Sequence, residues 1–291
     1  MGRDAGMIIG ETHLVCQDYA RTMEAKGDEW AFVADGCSSS PDTDIGARLM
    51  VLLAMQSSQL PEKDISTPMS SVGLFMAQGI AKQLCLHPHS LDATLLAIKT
   101  EREPRSVPVE GGFQAGKFGF TFYVAGDGVY GVKKKDGTIM AAEVKYENNV
   151  PYYLNYNMDD KRHASFESGK GKVLYFQRSP KGKWKDKEAC FWRDKESFFW
   201  PAEPGDIAFI CTDGVSSVFK RVTNGTSKTI EQVPLTQVLD RVLDFKGQGQ
   251  FVCRRLRRFQ KEMRKNDWFN NDDIAVAAVE AEVLNEDQGG E

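Results

Sequence analysis

The sequence predicts an α+β fold, a single domain in which helices pack on sheets. Three observations predict it. Short apolar runs with strand character fill long stretches of the chain. Amphipathic helical patterns come in pairs at only two places. No linker-like segment and no internal repeat divides the 291 residues, and 41% hydrophobic with 27% charged residues supply a sizeable core.

Taken in order, residues 8–35 read as short strands, clearest in MIIG (7–10) and WAFVAD (30–35). Asp44 is placed to cap a helix starting near Ile45, where Leu49, Leu52, Leu53 and Gln56 follow at helical spacing. A second helix is predicted over 69–85, because Val72, Met76, Ile80 and Leu84 repeat every fourth residue. Strands follow in DATLLAIK (92–99), FGFTFYVAGDG (118–128) and VYGVKKKDGTIMAAEV (129–144), the last folded at its Asp-Gly. GDIAFICTDG (205–214) reads as a buried strand, LTQVLDRVLDF and FVCRRLRRFQKEMRK as two helices, and DDIAVAAVEAEVL (272–284) as the final strand. Between 141 and 203 aromatic residues mix with dense charge, and SPKGKWKDKE (179–188) resembles an exposed loop. The domain is expected to span 8–284, with 141–203 as an elaboration and NEDQGGE (285–291) as a disordered tail.

Composition narrows the function. A formal net charge of −4 argues against a dedicated nucleic-acid binder. No apolar stretch approaches the roughly 20 residues that span a bilayer. The N-terminal apolar patch is too short for a signal peptide, and Gly6 stands where a myristoylation signal wants Ser or Thr, so a cytoplasmic protein is expected. Six scattered cysteines form no C-x-x-C pair, and four dispersed histidines form no cluster. A metal, if one is held, must be held by oxygen.

Three segments share one design, an apolar strand followed by an acid and a glycine. They end at Asp35-Gly36, Asp127-Gly128 and Asp213-Gly214. NNDDIAV inverts the order, placing Asp272 and Asp273 before an apolar strand, and Asp18 follows a short apolar stretch in VCQDYA. Each Asp-Gly alone is a common turn. If such strand ends converge, crowded carboxylates either raise one another's pKa or require a cation, and Mg²⁺ and Mn²⁺ are the ions that take such oxygen donors. A glycine after the acid lets the backbone bend and a carbonyl approach the ion.

The order CQDYA, FVADGCSSSPDTDIGARL, VAGDGVYGVKKKDG, PGDIAFICTDGVSSV, NDDIAVAAV resembles the metal-dependent type 2C protein phosphatases, and in particular their bacterial branch. The resemblance threads from about residue 10 to 283, with 141–203 matching poorly. It implies two packed antiparallel sheets flanked by helix layers, and two divalent ions, Mn²⁺ or Mg²⁺, at one edge. It implies that Asp35 bridges both ions and that Gly36 offers its carbonyl to one. Asp213 and Asp272 complete the other ion's shell, Asp18 holds metal-bound water or contacts an ion from behind the direct ligands, and Asp127 with Asp213 takes a third, weaker ion. The implied reaction is hydrolysis of phosphoserine or phosphothreonine by a metal-activated water, with no nucleophilic Cys or Ser. The implied partners are a phosphorylated protein and an opposing Ser/Thr kinase, for a monomer that binds neither nucleic acid nor membrane. Residues 141–203 fall where the family often carries a flap beside the site.

The chain departs from that pattern in places. Cys37 stands where many relatives have His after Asp-Gly, and is expected to be a small loop residue; Ser38, Ser39 and Ser40 are expected to serve the turn. His13 is the nearest candidate for the phosphate-binding position that many relatives fill with Arg, and an imidazole is a weaker phosphate ligand than a guanidinium fork. Asp273 falls where relatives often have Asn and is expected to be a turn residue. In FVCRRLRRFQKEMRK, Val252, Leu256, Phe259 and Met263 form an apolar face, leaving Arg254, Arg255, Arg257, Arg258, Lys261 and Arg264 as a solvated face or a dock for an acidic phosphoprotein. Two rivals remain beside the enzyme: a non-catalytic phosphatase-like binding or regulatory module, and an unrelated metal-binding hydrolase.

Overall fold

The computed structural model describes residues 2–59, 71–101, 107–109, 112–114, 118–147, 150–166, 171–180, 182–192, 195–224, 227–245 and 248–281; the expected tail at 285–291 lies outside them. Along the chain come β1 (Arg3–Ile8), β2 (Asp18–Ala25), β3 (Asp28–Asp35), α1 (Thr43–Ser58), α2 (Ser71–Gln83), β4 (Leu95–Glu101) and the small hairpin β5 (Val107–Val109) and β6 (Gly112–Gln114). They continue with β7 (Gly119–Ala125), β8 (Gly128–Lys133), β9 (Ile139–Tyr146), α3 (Asp160–Phe166), β10 (Gly171–Arg178), β11 (Trp184–Trp192) and β12 (Lys195–Pro201). Last are β13 (Ile207–Cys211), β14 (Val218–Asn224), β15 (Ser227–Gln232), α4 (Leu235–Val242), α5 (Phe251–Lys265), β16 (Trp268–Asn270) and β17 (Ile274–Glu280).

Two antiparallel sheets form the body, one ordered β1-β17-β13-β8-β9-β10-β11 and the other β12-β7-β4-β3-β2. Strand periodicity decides how they pack. In β17, Ala275, Ala277 and Val279 join the core shared with the five-stranded sheet, while Ile274, Val276 and Ala278 face the other way into a second core. That second core holds Val238, Leu239 and Val242 of α4 with Phe251, Leu256 and Phe259 of α5. On the opposite side α1 packs on β2 and β3, and α2 packs on α1. The layers are helix, sheet, sheet, helix, as expected. Among the described residues, no helix is long and apolar enough to cross a membrane.

Several elements differ from the sequence expectation. The strand placed at MIIG runs instead over Arg3–Ile8, paired with β17 from Arg3↔Val279 to Ile8↔Ile274. It stops because the Gly10 amide donates to the side chain of Asp273 rather than to the ladder. Helix α1 starts at Thr43, so Asp44 is not its cap but sits in its first turn, where a carboxylate favours the helix dipole. In α2 the row Met76, Ile80, Leu84 is not the inner one: Met76 and Leu84 are exposed, and the buried residues are Leu74, Ala77 and Ala81. Small alanines let α2 approach α1, so the core-facing row carries less bulk than the outer one. SPKGKWKDKE is half turn and half strand, because Trp184 opens β11 and its indole N–H donates to Asp240 of α4 at 2.9 Å. Residues 141–203 thus supply β10 and β11 to one sheet edge and β12 to the other. Arg255, expected in solvent, is buried and paired with Glu262.

Candidate active site

The site forms where strands of both sheets end. Asp18 begins β2 directly opposite Asp35, the last residue of β3. The end of β3 is held by residues just before β4. Thr94 N donates to Asp35 O at 2.9 Å, Asp35 N donates to Thr94 Oγ1 at 3.2 Å, and Cys37 N donates to Asp92 O at 2.8 Å. Gly36 is required by crowding, since a Cβ there would lie 2.6 Å from Thr43 O. Asp127 stands between two glycines with positive φ, Gly126 at 94° and Gly128 at 139°. Asp213 opens a 3-10 turn after β13, and Asp272 precedes β17. These two are locked together, because a Cβ on Gly214 would fall 1.6 Å from Asp273 O.

The structure brings Asp18, Asp127, Asp213 and Asp272 all within electrostatic reach of Asp35. Asp18 and Asp127 are buried, whereas Asp35, Asp213 and Asp272 keep partial access to solvent. Burial, first of all, pushes the carboxyl of Asp35 well above the usual range, and the charges of Asp18, Asp213, Asp127 and Asp272 push it further. Burial likewise raises Asp127, with Asp213 and Asp272 adding to it. Asp213 is pushed up to about 6 by burial and then by Asp272. Asp18 is raised by burial even though Thr212 Oγ1 donates to its Oδ2 at 2.6 Å. No Lys or Arg among the described residues forms an ion pair with any of the five. Asp35 lies within hydrogen-bonding reach of both Asp18 and Asp213, so the carboxyls lean on each other. Consistent with that leaning, no group of three His, Cys, Asp or Glu among the described residues already surrounds one ion position.

The donor set nevertheless suits a hard divalent ion. Every donor is a carboxylate or backbone oxygen, like charges are packed together with no Lys or Arg of the described residues ion-paired to them, and Asp127 Oδ1 is buried with no hydrogen-bond partner. His13 lies in the 9–17 loop rather than on a strand. Its Nδ1 is 3.0 Å from Asp273 Oδ2 and its Nε2 3.6 Å from Asp272 Oδ1. Cys37 is half-buried beside Ser39, its Sγ 3.1 Å from Ser39 Oγ. Burial raises its thiol pKa, but hydrogen bonds from Ser39, Tyr153 and Ser40 outweigh that and lower it. Ser40 serves the turn, its N–H donating to Cys37 O at 2.9 Å.

Three supporting residues escaped the sequence reading. Asp273 is no ordinary turn residue: it is buried and accepts from the amides of Gly10 and Gln17, tying the 9–17 loop to the start of β17. Thr212 links Asp18 to β17 by also accepting from Ala275 N at 2.9 Å. Asp92 receives both arms of the Arg162 guanidinium at 3.0 and 2.7 Å and the Asn155 amide at 3.1 Å, so residues 150–166 are fastened behind the Asp35 turn. Thr212 and Asp273 each adjoin a predicted acid, which was the available signal; nothing in the spacing pointed to Arg162.

Comparison with known proteins follows this geometry. The phosphatase domain of the cell-fate determinant SpoIIE from Bacillus subtilis, solved with a fragment of its regulatory domain, superposes with a TM-score of 0.50 at 13% identity. That match covers 97% of this chain and 63% of the SpoIIE chain, so the chain spans less than two thirds of that relative. The catalytic domain of the serine/threonine protein phosphatase PstP, solved with two manganese ions, gives a TM-score of 0.49 at 13% identity, covering 96% of this chain and 98% of the other. No curated protein sequence matches the chain. The sequence profile described as Protein phosphatase 2C matches residues 10–259, the stretch that holds Asp18, Asp35, Asp127 and Asp213, and the chain belongs to that family.

Proposed function

We propose that the protein is a metal-dependent Ser/Thr protein phosphatase that hydrolyses phosphoserine and phosphothreonine. One observation carries this reading: five acids from separate strand ends meet at one rim, and among the described residues no Lys or Arg is ion-paired with any of them. Asp35 and the Gly36 carbonyl would hold a pair of Mn²⁺ or Mg²⁺ ions, with Asp213 and Asp272 completing the set. Asp127 with Asp213 would take a third, weaker ion. When bound, such ions make a water acidic enough to act as nucleophile near neutral pH and offset charge on the phosphoryl oxygens. Asp18 backs Asp35 and is itself held by Thr212. His13, on the loop that Asp273 fastens, would orient the phosphate. Cys37 has no required part in the chemistry.

The test is turnover of p-nitrophenyl phosphate with Mn²⁺, with Mg²⁺ and with chelator. Metal-dependent turnover is expected, and Asp35→Asn should lower it at least about a hundredfold, as loss of a group acting on the transition state does. Binding of a phosphoprotein with no turnover under any metal would replace the enzyme with a binding module.

A further inference from the structure

Helix α5 buries Phe251, Val252, Leu256, Phe259 and Met263 against the seven-stranded sheet. Its outward side carries Arg254, Arg257, Arg258, Lys261, Arg264 and Lys265, all exposed. The helix has a single acid, Glu262, and that carboxylate is taken by Arg255 and Arg241. Arg254 donates to Gln248 O; no other outward cation on α5 forms an ion pair with a described residue. Positions 254, 257, 261 and 264 are spaced by three, four and three, so they form one stripe about 15 Å long. A concentration of positive charge this dense is unexpected on a chain of net charge −4.

We propose that this stripe docks an acidic segment of the phosphoprotein partner. A stripe of about 15 Å matches about five extended residues. The surroundings limit what else can lie there. Asp244, Asp267 and Asp4 flank the helix, so a polyanion longer than the stripe, such as duplex nucleic acid, meets like charge on either side. The apolar side chains of α5 are all committed to the core, which leaves nothing to insert into a bilayer. Along the chain the stripe is followed by β16 and then by the candidate metal ligand Asp272.

The proposal takes the phosphatase reading for the purpose of docking, and the experiment separates the two. A fluorescein-labelled peptide with five consecutive glutamates is titrated against the full chain and against Arg254→Gln/Arg257→Gln/Lys261→Gln/Arg264→Gln, alongside a 12-base-pair DNA duplex and phosphatidylserine vesicles. Binding of the peptide is expected to weaken about tenfold in the variant and to fall steeply between low and 0.5 M salt. A phosphopeptide carrying the glutamates should show a lower KM than one with Ser-Gly in their place, a difference the variant erases while p-nitrophenyl phosphate turnover is unchanged. Unaltered affinity in the variant overturns the proposal, as does tighter binding of the duplex or vesicles than of the peptide. Should the variant not fold, salt-insensitive binding by the unaltered protein overturns it equally. Absence of p-nitrophenyl phosphate turnover sinks the phosphatase reading alone, because the titration needs no catalysis.

Discussion

Gly214 is the residue on which two candidate ligands depend together. Its α-carbon is pressed against the backbone of Asp273, where a methyl group would sit 1.6 Å from a carbonyl oxygen. Backbone cannot yield as a flexible side chain does, so Gly214→Ala should destabilise the fold by about 3 kcal/mol or more, read from urea unfolding. The same change should weaken Mn²⁺ binding, because Asp213 and Asp272 stand on either side of the contact. At this scale the sequence was most legible where a residue type has one job. Asp35, Asp127 and Asp213 announced themselves by an apolar run ending in Asp-Gly. Asp273 did not, because its value lies in accepting from Gly10 and Gln17, more than 250 residues away along the chain.

Among the elements, Asp92 joins three pieces. Its carbonyl holds the turn after β3 through Cys37 N, and its carboxylate holds α3 through Arg162 and the preceding 3-10 turn through Asn155. Truncating it strands a part-buried guanidinium, so Asp92→Ala should cost about 3 kcal/mol. It should also raise the Mn²⁺ concentration needed for half-maximal p-nitrophenyl phosphate turnover, whereas Arg162→Lys should cost less, since one contact survives. Element boundaries were readable where amphipathic period and length agree: α5 covers the predicted FVCRRLRRFQKEMRK from first residue to last. Residues 141–203 were not readable as strands, because a strand such as β10, next to the sheet edge, alternates burial without a continuous apolar run, and its partners β9 and β11 are fixed by register rather than by composition.

Across the whole molecule, the acid cluster ties stability to pH and metal with a definite sign. Asp18, Asp35, Asp127 and Asp213 all hold protons more tightly folded than unfolded. A raised carboxylate stabilises the fold below its unfolded pKa and loses that contribution as pH rises through its folded value. For Asp213 that window runs from the ordinary 3.8 to about 6. With chelator present, the urea midpoint should therefore fall from pH 5 to pH 8. Adding Mn²⁺ should restore it most at pH 8, by about 2.7 kcal/mol at a hundred times the dissociation constant. A urea midpoint that rises with pH in chelator would contradict this account of the site. Helices packed on sheets were legible from the long runs of apolar strands with helices in pairs, whereas the two stacked sheets came only with the family resemblance. The convergence of strand ends was not legible, since spacing along a chain carries no distance between sheets.

The position of β17 between β1 and β13 has a consequence for biogenesis. On a ribosome, the segments bearing Asp18, Asp35, Asp127 and Asp213 all emerge while the strand that must wedge between their neighbours is still being made. A nascent or prematurely ended chain thus exposes an unfinished sheet and lacks Asp272. Competence to capture cations would arrive late, in a single step, as that strand slots home.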